Sequence, residues 1–308
     1  MGKNRELFRM QAAGQGNVKI ILSRKGFDSS NGGCASPIFP DGRLVSLPIP
    51  AAKAPTNFSD IGFDGPTVGQ VVRDLSKGKV LPDWPTHLDP DLSTEVLPRQ
   101  DGWLPAFGQT GAAQSHLNSQ GVEVGDLFLF FGWFKEVEKN ARAMWQFVPG
   151  APDRHVIFGW LQVGEILRVG RNAREFSDMY PWLAQHPHLN GERSDNNTIY
   201  VATPTLILPG QSQLGQLAGG GAFGRDSYAR TLSAPDQASR SLWRLPAFFA
   251  PSIDGRSLSY HGDPTRWKAA DEGWIQLQSV AKGQEFVLDC RNRLDTMQIH
   301  SWLESVFQ

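Results

Sequence analysis

The sequence predicts an α+β, β-rich single unit with a curved or barrel-like central sheet, and three observations carry that expectation. Apolar, β-branched or aromatic runs at residues 18–23, 127–137 and 155–169 have the composition of buried strands. Helical spacing of apolar residues is confined to short stretches, chiefly 67–77 and 295–307. Gly132, Gly159 and Gly164 interrupt the two long runs, and a sheet that bends at such points can close on itself.

The elements follow in order. Residues 1–17 lack the apolar stretch of a secretory signal and are expected to form a loose N-terminal extension, with residues 18–308 forming one domain. Strand 18–23 leads into a polar, glycine-rich loop. Prolines recur between residues 35 and 105, and each interior proline removes a helical donor, so short strands and ordered loops are expected there. Residues 67–77 are the exception, because Thr67 can cap a helix and Val68, Val71, Val72 and Leu75 share one face. Residues 120–210 are expected to form the central sheet, starting where Gly125-Asp126 turns into the first long strand. A short helix at 172–185, strands at 197–202 and 205–208 and a glutamine- and glycine-rich loop at 210–224 follow. The chain closes with a strand at 285–289 and an amphipathic helix at 295–307 that turns Met297, Ile299, Trp302, Leu303 and Val306 inward.

Composition narrows the function. The 308 residues hold 30 Lys+Arg against 31 Asp+Glu, a formal net charge of -1, which is not the basic excess of a protein held to DNA mainly through phosphates. Any nucleic-acid role must then use a local patch. Cys34 and Cys290 are too few for a disulfide framework or a four-thiolate zinc site, so a soluble, cytoplasmic protein with two free thiols is expected. No apolar run approaches the ~20 residues of a membrane span. From residue 171 to residue 266 every Lys-or-Arg position is arginine; guanidinium groups suit oxyanions and flat rings, although GC-rich coding is the plainer account.

The leading candidate site is the loop Ser23-Arg-Lys-Gly-Phe-Asp-Ser-Ser-Asn-Gly-Gly33, since a rigid strand followed by polar residues is a common way to present groups to a ligand. Arg24 and Lys25 can hold a phosphate or carboxylate, Asp28 can act as a base, and Ser23, Ser29 and Asn31 add polar contacts. The alternative is a hydrogen-bonded turn whose charges pair internally. Residues 219–227 formally contain GxGxxG and approach a Walker A loop, but Pro209-Gly-Gln-Ser-Gln precedes them where a strand is required. A dinucleotide fold and a P-loop are therefore rejected, and Arg225 is kept only as a cation on a flap.

His186-Pro-His188 and Ser259-Tyr-His-Gly-Asp263 can each supply a general base or metal ligands, though neither spacing is diagnostic, and His186 and His188 are expected to be loop or packing residues because no recognised metal or catalytic motif accompanies them. His261 and Asp263 are preferred as catalytic candidates, beside Lys25 and Asp28, because Tyr260, Gly262 and Trp267 resemble pocket walls. No metal is assigned and no cofactor is identified. Cys34 reads as a buried thiol rather than a nucleophile, having no histidine nearby in sequence. Trp133 and Trp160, each beside a glycine on a long strand, are candidate stacking surfaces for a base.

The segments VKIILSRKGFDSSNGG, SPIFPDGRLVSLPIP, GDLFLFFGWF, HVIFGWLQVGEI and GQEFVLD together resemble the third nucleotide modification-associated domain family over nearly the whole chain after residue 17. That resemblance implies a link with bacterial and phage systems that make or handle modified DNA bases. The centre alone, with Gly-Asp before one apolar strand and a Gly-x-x-x-Val-Gly-Glu pattern in the other, is similar to the EVE and ASCH branch of PUA-like barrels. That similarity implies a PUA-like sheet. Three functions stay open: an enzyme or accessory factor acting on a nucleotide or base, with Arg225, His261 and Asp263 joining the first loop; a non-catalytic reader of modified nucleic acid using Trp133 and Trp160; or an enzyme for a small anionic metabolite.

Overall fold

A computed structural model describes residues 18–63, 67–190, 194–235, 237–252, 256–281 and 283–308. The expected N-terminal extension and Arg193 lie outside the described residues. The chain runs through β1 (Lys19–Arg24), β2 (Ser36–Ile38), β3 (Ile49–Pro50), β4 (Thr56–Asn57) and helix α1 (Val68–Leu75). Next come β5 (Pro85–His87), β6 (Ala106–Gln109), α2 (Gly111–Ser119), β7 (Leu127–Lys139), β8 (Trp145–Phe147) and β9 (Arg154–Leu167). The remainder is α3 (Ala173–Met179), β10 (Thr198–Ala202), β11 (Gly220–Ala222), β12 (Leu242–Pro246), β13 (Trp267–Ala269), β14 (Trp274–Gln278), β15 (Glu285–Asp289) and α4 (Thr296–Phe307).

The main sheet has the order β15-β1-β7-β9-β10-β6, with β2 and β8 on β7 and β11 on β9. Two small three-stranded sheets, β12-β14-β13 and β3-β5-β4, stand beside it. β1 is antiparallel to β15 and parallel to β7, and it is buried on both faces, which is why its centre, Ile20-Ile-Leu22, is a continuous apolar run. Ile20 and Leu22 join Leu129 and Phe131 in one core, covered by Trp243 of β12 and by Ile299, Trp302 and Leu303 of α4. Ile21 joins Phe128 and Phe130 in the opposite core, with Phe107 of β6, Leu117 of α2 and Tyr200 of β10. A third cluster sets Phe27 and Phe58 against Val68, Val71, Val72 and Leu75 of α1, whose first turn is capped by Thr67 Oγ1 accepting from the Gln70 N–H.

The mixed α+β chain forms no barrel and no strongly curled sheet, which corrects the curved, barrel-like and PUA-like expectations. The strand order ends at β15 on one side and β6 on the other, and among the described residues no ladder joins them, whereas a barrel has no free edge. The glycines explain the error. A Cβ on Gly132 would stand 2.8 Å from the Lys25 carbonyl oxygen, on Gly159 2.4 Å from Leu92 Cδ1, and on Gly164 2.8 Å from the Ala202 carbonyl oxygen. These positions admit close neighbours. Bulges do accompany two of them, where β7 meets β9 at Phe130/Phe131 and where β10 meets β9 at Val201/Ala202, without closing the sheet.

Smaller differences have local causes. Residues 205–208 form no strand, and Gly220–Ala222, expected in a loop, pairs with β9. Met297 is 83% exposed on α4, while Ile299, Trp302, Leu303 and Val306 are buried. Both cysteines are free and buried.

Candidate functional site

A cleft of about 770 Å³ opens beside the end of β1. Its lining comes from the loop after β1, from β5 and β6 and the residues after them, from β7 and β9, and from segments around residues 188, 240 and 284. Residues distant in sequence meet here because β1 is sandwiched between β15 and β7 while β6 packs its Phe107 ring 5.1 Å from those of Phe128 and Phe130.

The loop after β1 is built on Asp28. Its Oδ1 accepts from the N–H groups of Ser30 and Asn31, both at 2.7 Å, and its carbonyl accepts from the Gly33 N–H. The backbone donors of Asn31 and Gly33 are thus spent inside the turn and are not aimed at a ligand. Gly32 has φ +86°, and a Cβ there would fall 2.2 Å from the Phe27 ring, so only glycine fits.

Two cations on one side of the cleft lack carboxylate partners among the described residues. Arg24 donates to the carbonyls of Ala281 and Val280 at 2.9 and 3.0 Å, and its Nε is buried without a partner. Burial pulls its pKa below the ordinary value, with Asp28 opposing and Arg240 adding to the shift. Arg240 lies 4.2 Å from the centre of the Trp133 ring and within 3.5 Å of Ser29 Oγ, while Trp133 Nε1 donates to Asp153 at 2.7 Å. His155 stands nearby: its Nδ1 accepts from Trp243 Nε1 at 2.9 Å, so the neutral ring carries its proton on Nε2. Burial, Arg24 and Arg240 hold its pKa well below the usual histidine value.

Lys25 is satisfied differently, with Nζ 2.7 Å from Glu285 Oε1 and 4.5 Å from the centre of the Phe107 ring. Gln109 Nε2 donates to the same Glu285 oxygen at 2.6 Å. Farther along the lining, His87, Asp89 and His188 bring one ligand atom each within 4.8 Å of the others. Asp89 Oδ1 accepts from the Gly108 N–H at 2.8 Å. Burial favours its neutral form, but His186 and His87, together with charge on His188, hold the Asp89 carboxyl well below the usual range. His188, opposed by Asp89 but dominated by burial, is brought down to about 3.

Of the residues expected from the sequence, Arg24, Lys25, Asp28, Ser29, Asn31 and Trp133 line this cleft. Ser23 is fully buried on β1, and Trp160 packs on Phe223 and Phe307 while donating to the Ala218 carbonyl. Arg225 donates to the Asp41 carbonyl on an exposed loop. His261 is fully buried with both ring nitrogens engaged, Nδ1 by the Ser259 carbonyl and Nε2 by the Val280 N–H. Asp263 caps the turn before β13 by accepting from Thr265. Burial pushes the Cys34 thiol up to about 11, as an inert core thiol requires. His87, Asp89, Gln109, His155, Arg240 and Glu285 were missed. Only His186-Pro-His188 signalled this wall, and the partner dyad His87-x-Asp89 lies about a hundred residues earlier.

The architecture and cleft define a mixed α+β protein with a polar, charge-rich pocket beside an open sheet. The chain belongs to the family described as nucleotide modification associated domain 3, whose model matches residues 19–289. That match encloses the whole cleft and associates the chain with nucleotide modification. No curated protein and no solved structure matches the chain. Among the described residues no helix is long and apolar enough to cross a membrane.

Proposed function

We propose that the cleft binds an anionic nucleotide, or a nucleic-acid base together with its phosphate, as the ligand-holding step of nucleotide modification. The observation that carries this reading is the pair Arg24 and Arg240. Burial and the nearby charge of Arg240 both disfavour the protonated form of Arg24, and neither guanidinium is ion-paired among the described residues. An oxyanion between them would relieve the repulsion and accept paired N–H donors. The cleft's volume falls within the range of small-molecule sites. In its lining, Asp28 Oδ2 and the His155 Nε2–H are an acceptor and a donor for a base edge. A reader of the stacking kind is less favoured, because Trp160 is buried and Arg240 covers Trp133.

The test is a thermal-shift and calorimetric comparison of nucleoside monophosphates, their phosphate-free nucleosides, and single- and double-stranded DNA, with unmodified and modified bases. The expected result is stabilisation by a nucleotide, lost in Arg240→Ala and in Arg24→Gln at unchanged fold. Binding to polynucleotide alone would favour the reader. Equal binding of nucleosides and nucleotides, or full binding by Arg240→Ala, overturns the proposal.

A further inference from the structure

We propose that His87, Asp89 and His188 form a site for a divalent first-row transition metal in the lining of the cleft, with His87 Nε2, Asp89 Oδ2 and His188 Nε2 as ligands.

The hydrogen bonding of His188 points to a cation. Asn197 Nδ2 donates to the His188 carbonyl at 2.9 Å, which fixes the amide so that its Oδ1 faces His188 Nδ1 at 2.6 Å. Nδ1 must therefore carry a proton, and in the neutral ring the Nε2 lone pair is left facing Asp89 Oδ2 at 3.5 Å. Two acceptors facing one another repel unless a positive centre lies between them. A metal ion held by a histidine whose other nitrogen donates to an oxygen is the arrangement that commonly orients such ligands.

Two of the three separations match a tetrahedral metal site, and the third, between the histidines, is no more than 4.8 Å. Bonds of about 2.1 Å at tetrahedral angles separate ligand atoms by about 3.4 Å, and Asp89 Oδ2 lies 3.5 Å from His188 Nε2 and 3.6 Å from His87 Nε2. The other carboxylate oxygen is held back: Oδ1 accepts from the Gly108 N–H and lies 3.5 Å from His186 Nε2. His186 is in turn oriented, because its Nδ1 accepts from the His188 N–H at 3.2 Å. Gly108 is required for this arrangement, since a Cβ there would stand 2.3 Å from the His188 ring.

Two imidazoles and one carboxylate select Fe(II), Co(II) or Zn(II) over Mg(II) or Ca(II), which prefer oxygen ligands. Three protein ligands leave coordination positions open, and all three residues line the cleft. The site stands on its own ligand geometry, but its action on a nucleotide rests on the function proposed above. An ion pair between Asp89 and a protonated His188 is the competing arrangement, and it binds no metal.

Full-length protein freed of metal by chelation and then titrated with Co(II) alone tests the site. The expected result is one Co(II) per chain, with d–d absorption of a nitrogen- and oxygen-ligated ion and displacement by Zn(II). His87→Ala, at a partly exposed position, should weaken binding by at least about tenfold, whereas Arg240→Ala should bind Co(II) fully while losing the nucleotide response. Absence of stoichiometric Co(II) binding by folded wild-type protein overturns the proposal, as does unchanged affinity in both His87→Ala and Asp89→Asn. Nucleotide binding in the metal-free protein would leave the first function intact even then.

Discussion

Lys25 Nζ and Glu285 Oε1 are 2.7 Å apart, and their side chains are only 10% and 0% exposed. The pair joins the residue after the first strand to the first residue of the last one. Lys25 is thereby committed to a buried carboxylate, and among the described residues the cations beside it with no carboxylate partner are Arg24 and Arg240.

Removing one partner of this pair strands the other. Glu285→Leu is expected to destabilise the fold by about 3–5 kcal/mol, and Gln109 loses its acceptor as well. The double variant Lys25→Met, Glu285→Leu should recover most of that loss. Urea unfolding of the two single variants and the double variant measures the coupling, and additive losses would show that the charges do not act as a pair.

Stability should fall as pH drops from about 6.5 towards 4. Burial brings the His261 pKa down to about 4, while the unfolded chain keeps a value near 6.5. The native state then binds fewer protons in this window, so stabilisation is complete above pH 6.5 and declines as the pH approaches 4, by up to about 1.4 kcal/mol per pH unit for one histidine. His155 acts in the same direction. Equilibrium unfolding from pH 7 to 4 should show a shallower slope in His261→Gln than in wild type, and equal slopes would refute the assignment.

Asp28 separates loop building from chemistry. Asp28→Asn keeps an oxygen for the Ser30 and Asn31 N–H groups and should change stability by less than about 1 kcal/mol. Asp28→Ala should loosen the loop, read as faster amide exchange at residues 29–33. If Asp28→Asn retains ligand binding but stops turnover in a modification assay, the carboxylate is a base; if both survive, its role is architectural.

Gly108→Ala is expected to displace the His188 ring and cost about 1–3 kcal/mol through overpacking. Co(II) affinity should fall together with stability. A variant of wild-type stability and full Co(II) affinity would mean that the wall yields where the close approach says it cannot.

Legibility in the sequence followed the range of each signal. β1, β7, β9 and β15 were visible because burial on both faces makes them mostly apolar. α2 and the small β12-β14-β13 sheet were not, since α2 buries little more than Gln114 and Leu117 and short strands have weak periodicity. Glycine was ambiguous at 132, 159 and 164, where close approach and bending have the same signature. The charged loop at 24–31 stood out in the sequence for its density of polar groups, and it lines the cleft. His87-x-Asp89, Arg240 and Glu285 were not, because only tertiary packing brings them to the cleft, and a histidine separated from its partners by a hundred residues has no local pattern.

The placement of β1 between β15 and β7 also sets when the cleft can exist. Synthesis at about 5–20 residues per second leaves roughly 13–50 seconds between the emergence of β1 and that of β15. During that interval β1 can pair with β7 but its other edge is open, and an unpaired edge is a template for adhesion to other chains. The edge of β1 that faces β15 in the folded protein therefore stays unpaired until the last strand is made. Any fragment released before residue 285 carries the residues of the loop after β1 without the carboxylate that holds Lys25.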